Sequence, residues 1–218
     1  MKLELKKRET VSRRAALLVP LASFGVSLLF GAILLAVSGA NPLRTYAAMA
    51  VGAFGSLNGL SEVLVKSIPL ILTGLGVALA FRMRFWNIGA EGQLTMGAVA
   101  AAGVALFWSQ NLPAWTILPL ALVMGCVAGA LWAGVPALLK ATLKVDETLT
   151  TLMLNYVAVL YSEHLYYIAW RAPSANSGTE RIPEFSWLPK IIGRAHAGIF
   201  IGLALALLLW AVFRYTRW

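Results

Sequence analysis

The stretch GQLTMGAVAAAGVALFWSQNLPAWTILPLALVMGCVAGALWAGVPALL, residues 92–139, holds 48 residues without one charged side chain. As a single helix it would be about 72 Å long. That is more than twice the roughly 30 Å hydrocarbon core of a bilayer. The stretch must therefore fold back on itself, and SQNLPAW at 109–115 carries the polar and proline residues of a turn. Two membrane-crossing helices follow, and with them the class of the whole chain.

The rest of the sequence agrees. Of 218 residues, 60% are hydrophobic and 12% charged, with a mean hydropathy of +0.77; a soluble domain carries about twice that charge. A first helix is expected within 15–43, ending near the turn signal SGANP at 38–42. It is too long for a signal-peptide core and reads as a retained anchor. A second runs from near Ser61 to just before Arg82, punctuated by Pro69, Gly74 and Gly76. A fifth covers 147–169 and a sixth 196–213. Residues 170–195 are polar and hold Pro173, Pro183 and Pro189, which suits a loop. The expected fold is all-α: a polytopic membrane protein with a basic segment at 1–14, six transmembrane helices within 15–218 and an extracytoplasmic loop at 170–195.

Charge sets the orientation. The net charge of +9 does not require nucleic acid, because cytoplasmic loops of membrane proteins collect Lys and Arg. With six helices, Lys2, Lys6, Lys7, Arg8, Arg13 and Arg14 share one side with Arg82, Arg84, Lys140, Lys144, Arg214 and Arg217. That side, with twelve of the eighteen basic residues, is expected to be cytoplasmic and to hold the amino terminus. Cys126 is the single cysteine, so no internal disulfide is open to this chain.

Small residues repeat every four positions in two helices. Ala121, Gly125, Gly129, Ala133 and Ala137 form one stripe; Gly97, Ala101 and Ala105 form the other, in line with Gly89 and Gln93. In lipid such stripes let helix backbones approach closely. Gly125, Gly129, Ala133, Gly97 and Ala101 are therefore expected at helix contacts.

Polar groups are scarce enough to weigh singly. In FWNIGAEGQ, residues 85–93, Asn87, Gly89 and Gly92 disfavour a continuous helix. Irregular backbone at membrane depth is tolerated where protein buries it or where it lines a wet cavity. Glu91 suits a helix start, capping it or pairing with Arg82 or Arg84, or else it faces a transport path. Asn155, mid-span in TLMLNYVAVLY, either bridges helices or lines that path. Glu62 and Lys66, four apart, are expected to pair along one helix. Asp146 and Glu147 suit the amino end of the fifth helix, or else contact a partner. Glu163 and His164 have no third orienting group, and Tyr161, Tyr166, Tyr167 and Trp170 around them resemble an interfacial belt. The sequence has no G-x-x-x-x-G-K-[ST] phosphate loop, no H-E-x-x-H and no G-x-S-x-G.

The run LILTGLGVALAFRMRFWNIGAEGQLTMGAV, followed by DETLTTLMLNYVAVL, resembles the permease subunit of bacterial ABC importers in the simple-sugar and nucleoside branch. Asn87, Ile88, Gly89, Ala90, Glu91, Gly92 and Gln93 carry the first motif. Glu147, Thr151, Met153, Leu154, Asn155 and Tyr156 carry the second. Met83 and Arg84 stand where the family has small residues, and Asp146 where Asn is common. The resemblance implies a multi-pass protein of the bacterial inner membrane. Its implied partners are a second permease subunit, cytoplasmic ABC ATPase subunits that hold the ATP and Mg, and an extracytoplasmic substrate-binding lipoprotein. No cofactor or metal is expected in this chain. The resemblance also implies that the family sequence continues past residue 218 into an ATPase-docking loop. Asn87, Glu91, Gln93 and Asn155 are the residues expected to line the path. Two alternatives are a branched-chain amino-acid permease, which shares an N-x-G-x-x-G run, and a membrane-embedded transferase using Glu163 and His164.

Overall fold

A computed structural model describes residues 12–173 and 178–216. Most of the basic segment at 1–14 lies outside those residues. The chain divides between Leu60 and Ser61 into two compact units.

In the first unit, α1 (Arg13–Val37) opens on Ser12, whose side chain accepts from the Ala15 amide at 3.2 Å. It stops at Val37 because Ser38 and Gly39 turn the chain, Gly39 with φ +80°. The end falls at the turn signal SGANP, as expected. Residues 42–54 form a short helix that the sequence reading left out, α2 (Pro42–Phe54), with Asn41 as cap and Pro42 in its first turn. Tyr46 donates to the Leu28 carbonyl at 2.7 Å. A Cβ on Gly31 would sit 2.7 Å from that same hydroxyl, so a larger residue there would displace the tip of the Tyr46 side chain.

Helix α3 (Leu57–Arg82) carries the chain into the second unit and contains Pro69. After it come α4 (Ala90–Gly103), widening into a π turn at Val104–Trp108, and α5 (Ala114–Leu143). The turn between α4 and α5 falls where SQNLPAW placed it. Helix α6 (Glu147–His164) is capped by Asp146, which accepts from the Leu149 amide at 2.9 Å, and it too widens at Leu165–Ala169. The loop that follows contains a 3-10 turn (Glu184–Ser186) and a short antiparallel hairpin of β1 (Lys190–Ile192) and β2 (Ala195–His196). Helix α7 (Gly198–Tyr215) therefore starts two residues later than expected.

Among the described residues, five helices are long and apolar enough to cross a membrane: Ala15–Val37, Leu57–Arg82, Ala90–Trp108, Ala114–Leu143 and Gly198–Tyr215. The segment 147–169, expected to be the fifth of six spans, is helical throughout but falls outside this set. Its sequence spends Thr151, Asn155 and Ser162 on contacts with protein, and those polar groups lower its hydropathy. The second unit buries a few polar side chains beside its apolar core and exposes large apolar ones. Ser61, Asn87, Thr151 and Ser162 are buried, while Leu131, Leu160 and Leu207 are exposed, as lipid requires. A small core of Val104, Ala105, Ile117 and Ala121 joins α4 to α5, with Ile182 packed on it.

The small-residue stripes meet at the α4–α5 crossing. A Cβ on Gly97 would lie 2.8 Å from the Gly125 carbonyl oxygen, and one on Gly125 would lie 3.2 Å from the Gly97 carbonyl oxygen. A Cβ on Gly129 would lie 3.1 Å from the Gln93 carbonyl oxygen. Ala101 stands beside Gly125 at the same contact. Ala133 continues the stripe but looks into a cavity.

Candidate functional site

The α3–α4 connection, residues 83–89, holds the site together. Arg84 leaves α3 with φ +57°, a left-handed conformation uncommon for a residue bearing a side chain. Helix α4 then begins without a capping side chain on Gly89, so its first amides need partners from elsewhere. Helix α6 supplies them. Asn155 Oδ1 accepts from the Gly92 amide at 2.7 Å, and Asn155 Nδ2 donates to the Ile88 carbonyl at 2.8 Å. The Thr151 hydroxyl accepts from the Ile88 amide at 3.2 Å and donates back to the Glu147 carbonyl at 2.7 Å.

Glycine is required at both contact points. A Cβ on Gly89 would lie 2.9 Å from Thr151 Cβ, and one on Gly92 would lie 2.8 Å from Asn155 Oδ1. The N-x-G-x-x-G spacing thus serves backbone approach between the connection and α6.

Asn87 and Gln93 form a reciprocal amide pair. Asn87 Nδ2 donates to Gln93 Oε1 and Gln93 Nε2 donates to Asn87 Oδ1, both at 3.1 Å. Asn87 Oδ1 also accepts from the Gly89 amide at 2.9 Å. The pair stands in the wall of a cavity of about 400 Å³ between α3, α4 and α5, where Gly76, Phe85, Ala133 and Ala137 also stand. A second cavity of about 200 Å³ lies between α3 and α4; Gly76 and Gln93 line it too, with Thr73 and Ala90. Among the described residues, those lining these two cavities carry no charged side chain.

The expected site residues therefore separate. Asn87 and Gln93 are paired and line a cavity. Asn155 is a clip between α6 and the connection. Glu91 is exposed in the first turn of α4 and, among the described residues, pairs with neither Arg82 nor Arg84. Arg82 instead lies over the Phe213 ring, 4.2 Å from its centroid. Glu62 pairs with Arg194 at 2.6 Å rather than with Lys66, because the hairpin loop brings Arg194 to α3, where its amide also donates to Ser61 Oγ. Glu163 and His164 are exposed at the end of α6 and share no hydrogen bond among the described residues.

One contributor, Lys140, escapes the sequence reading, which places it only among the basic residues that set orientation. The Lys140 ammonium pairs with the Glu147 carboxylate and donates to the Arg84 carbonyl at 3.3 Å. The same carboxylate accepts from the Trp86 amide at 3.4 Å. Glu147 reads from the sequence as an acid at a helix start, and its distant partners depend on how the connection folds.

Residues 59–218 match the family described as branched-chain amino acid transport system / permease component. The chain belongs to this permease family. It is similar to the glucose ABC transporter permease protein TsgB13 of Haloferax volcanii, at 35% identity over 100% of this chain and 60% of the relative. It is similar to the guanosine ABC transporter permease protein NupP of Bacillus subtilis, at 36% identity over 93% of this chain and 59% of the relative. It also resembles the nucleoside ABC transporter permease protein NupB of Lactococcus lactis, at 35% identity over 69% of this chain and 41% of the relative. The permease thus spans about 60% of the length of the first two relatives. No solved structure matches it. The chain is an all-α, multi-pass membrane protein.

Proposed function

We propose that this chain is a permease subunit of an ATP-binding-cassette importer for a nucleoside or a simple sugar. Its translocation path runs through the cavities between α3, α4 and α5. The observation that carries this reading is the neutral amide pair of Asn87 and Gln93 in an otherwise apolar wall. A desolvated hydroxyl or ring nitrogen needs such partners, and each amide keeps one N–H beyond the reciprocal pair. Asn155 holds this wall from α6, and Glu91 is the remaining polar group of the path set. The names of the relatives, glucose and guanosine permeases, support the same substrate class.

A second permease subunit, ATPase subunits carrying ATP and Mg on the cytoplasmic side, and an extracytoplasmic binding lipoprotein complete the importer. The membrane is the bacterial inner membrane, with the amino terminus in the cytoplasm. The family description raises a branched-chain amino acid as the cargo. Uncharged cavity walls favour a neutral ligand over a zwitterion, whose buried charges need partners. Uptake by the reconstituted complex tests this: radiolabelled guanosine or glucose should accumulate with ATP and leucine should not. Accumulation of leucine alone overturns the substrate class.

A further inference from the structure

Lys140 stands near the end of α5, and Glu147 opens α6. Their ion pair is partly shielded, with side chains 37% and 13% exposed. Each partner also makes a contact that belongs to neither helix. Lys140 donates to the Arg84 carbonyl at 3.3 Å and lies 5.2 Å from the centroid of the Phe85 ring. Glu147 accepts from the Trp86 amide at 3.4 Å. One ion pair thus touches three consecutive residues of the α3–α4 connection. The first of them, Arg84, is left-handed at φ +57°, a conformation that persists where its surroundings hold it. The second, Phe85, stands with Asn87 in the wall of the 400 Å³ cavity.

We infer that Lys140 and Glu147 are positioning residues of the permeation path. They pin residues 84–86 and so set where Phe85 and Asn87 stand in the cavity wall. The inference rests on the path reading proposed above. It differs from ordinary helix linkage in its chemistry. A linking ion pair needs only opposite charges, in either order. A latch on this connection needs a donor at 140 and an acceptor at 147, because Arg84 offers a carbonyl and Trp86 an amide. The exchange K140E/E147K keeps the charges opposite but turns a carboxylate toward the carbonyl and an ammonium toward the amide.

The test uses the full importer complex in proteoliposomes, with Cys126→Ser removing the native thiol and Ala133→Cys reporting from the cavity wall. The readouts are the labelling rate of that thiol by aminoethyl methanethiosulfonate and the KM for guanosine or glucose, whichever the complex takes up. Lys140→Met and K140E/E147K should each change both by about tenfold, the scale of a lost hydrogen bond to a charged group. Lys140→Arg keeps the donor and should stay within about threefold. If K140E/E147K restores both readouts to the Lys140 and Glu147 values, the pair is a simple link and the inference falls. Where Lys140→Met fails to assemble, the comparison of K140E/E147K with Lys140→Arg decides alone. A separate control addresses the path: with Lys140 and Glu147 intact, saturating substrate should slow labelling of Ala133→Cys. Unchanged labelling there removes the path reading, while the variant labelling rates still report on the latch.

Discussion

Asn87 and Gln93 hold each other through two amide hydrogen bonds of 3.1 Å, one in each direction. The pair joins the irregular α3–α4 connection to the first turn of α4 and gives an apolar cavity its polar wall. Neither side chain can be made apolar without stranding the other, and a stranded buried amide costs about 1–3 kcal/mol.

Gln93→Leu should therefore lower uptake by about tenfold or more while leaving the amount of assembled complex near that of the unsubstituted protein. Asn87→Leu should do worse, because it also strips the acceptor from the Gly89 amide, and should lower the Tm of the detergent-solubilised complex. Radiolabel uptake normalised to membrane content, together with a thermal melt, checks both.

Asn155→Leu removes the partners of the Gly92 amide and the Ile88 carbonyl at once. The expected loss is about 1–3 kcal/mol for each group left unsatisfied. Hydrogen exchange read by mass spectrometry should show faster exchange across residues 86–93, with α7 unchanged. Uniform exchange across the chain would mean that Asn155 serves global stability rather than this connection.

The α4–α5 crossing gives a matched pair of substitutions. Gly97→Ala sets a Cβ 2.8 Å from the Gly125 carbonyl oxygen, and backbone cannot swing aside. Overpacking of this kind costs about 1–3 kcal/mol. Gly134→Ala, on the same helix pair, meets nothing within 4 Å and should be neutral or stabilising by about 0.5–1 kcal/mol. Thermal melts of the two variants should separate accordingly.

Much of this architecture is legible in the sequence because lipid imposes a single solution on apolar runs. The uncharged stretch at 92–139 predicts α4, the turn and α5, and the small-residue stripe anticipates the Gly97–Gly125 approach. Local signals served less well where tertiary contacts override them. Asn41 and Pro42 carry a helix cap and first turn, yet beside Gly39 they read as a turn alone. Glu62 has Lys66 four residues on, but the hairpin loop delivers Arg194 to it instead. The Lys140–Glu147 pair depends on Lys144, which turns the chain at φ +56° between α5 and α6, and no helical spacing encodes that. The polar character of α6 has the same origin, since its Thr151 and Asn155 are spent on the connection that opens α4.

Gly76 offers the most direct test of the proposed path. It lines both cavities with Gln93, and a Cβ there meets nothing within 4 Å. Gly76→Leu should fold, since leucine favours a helix over glycine by about 0.8–1 kcal/mol, yet fill the space in front of the amide pair. Gly74→Leu, two residues away and equally open, lines neither cavity. Uptake of guanosine or glucose by the reconstituted complex should be abolished in Gly76→Leu and retained in Gly74→Leu. Full uptake through Gly76→Leu would place the path elsewhere.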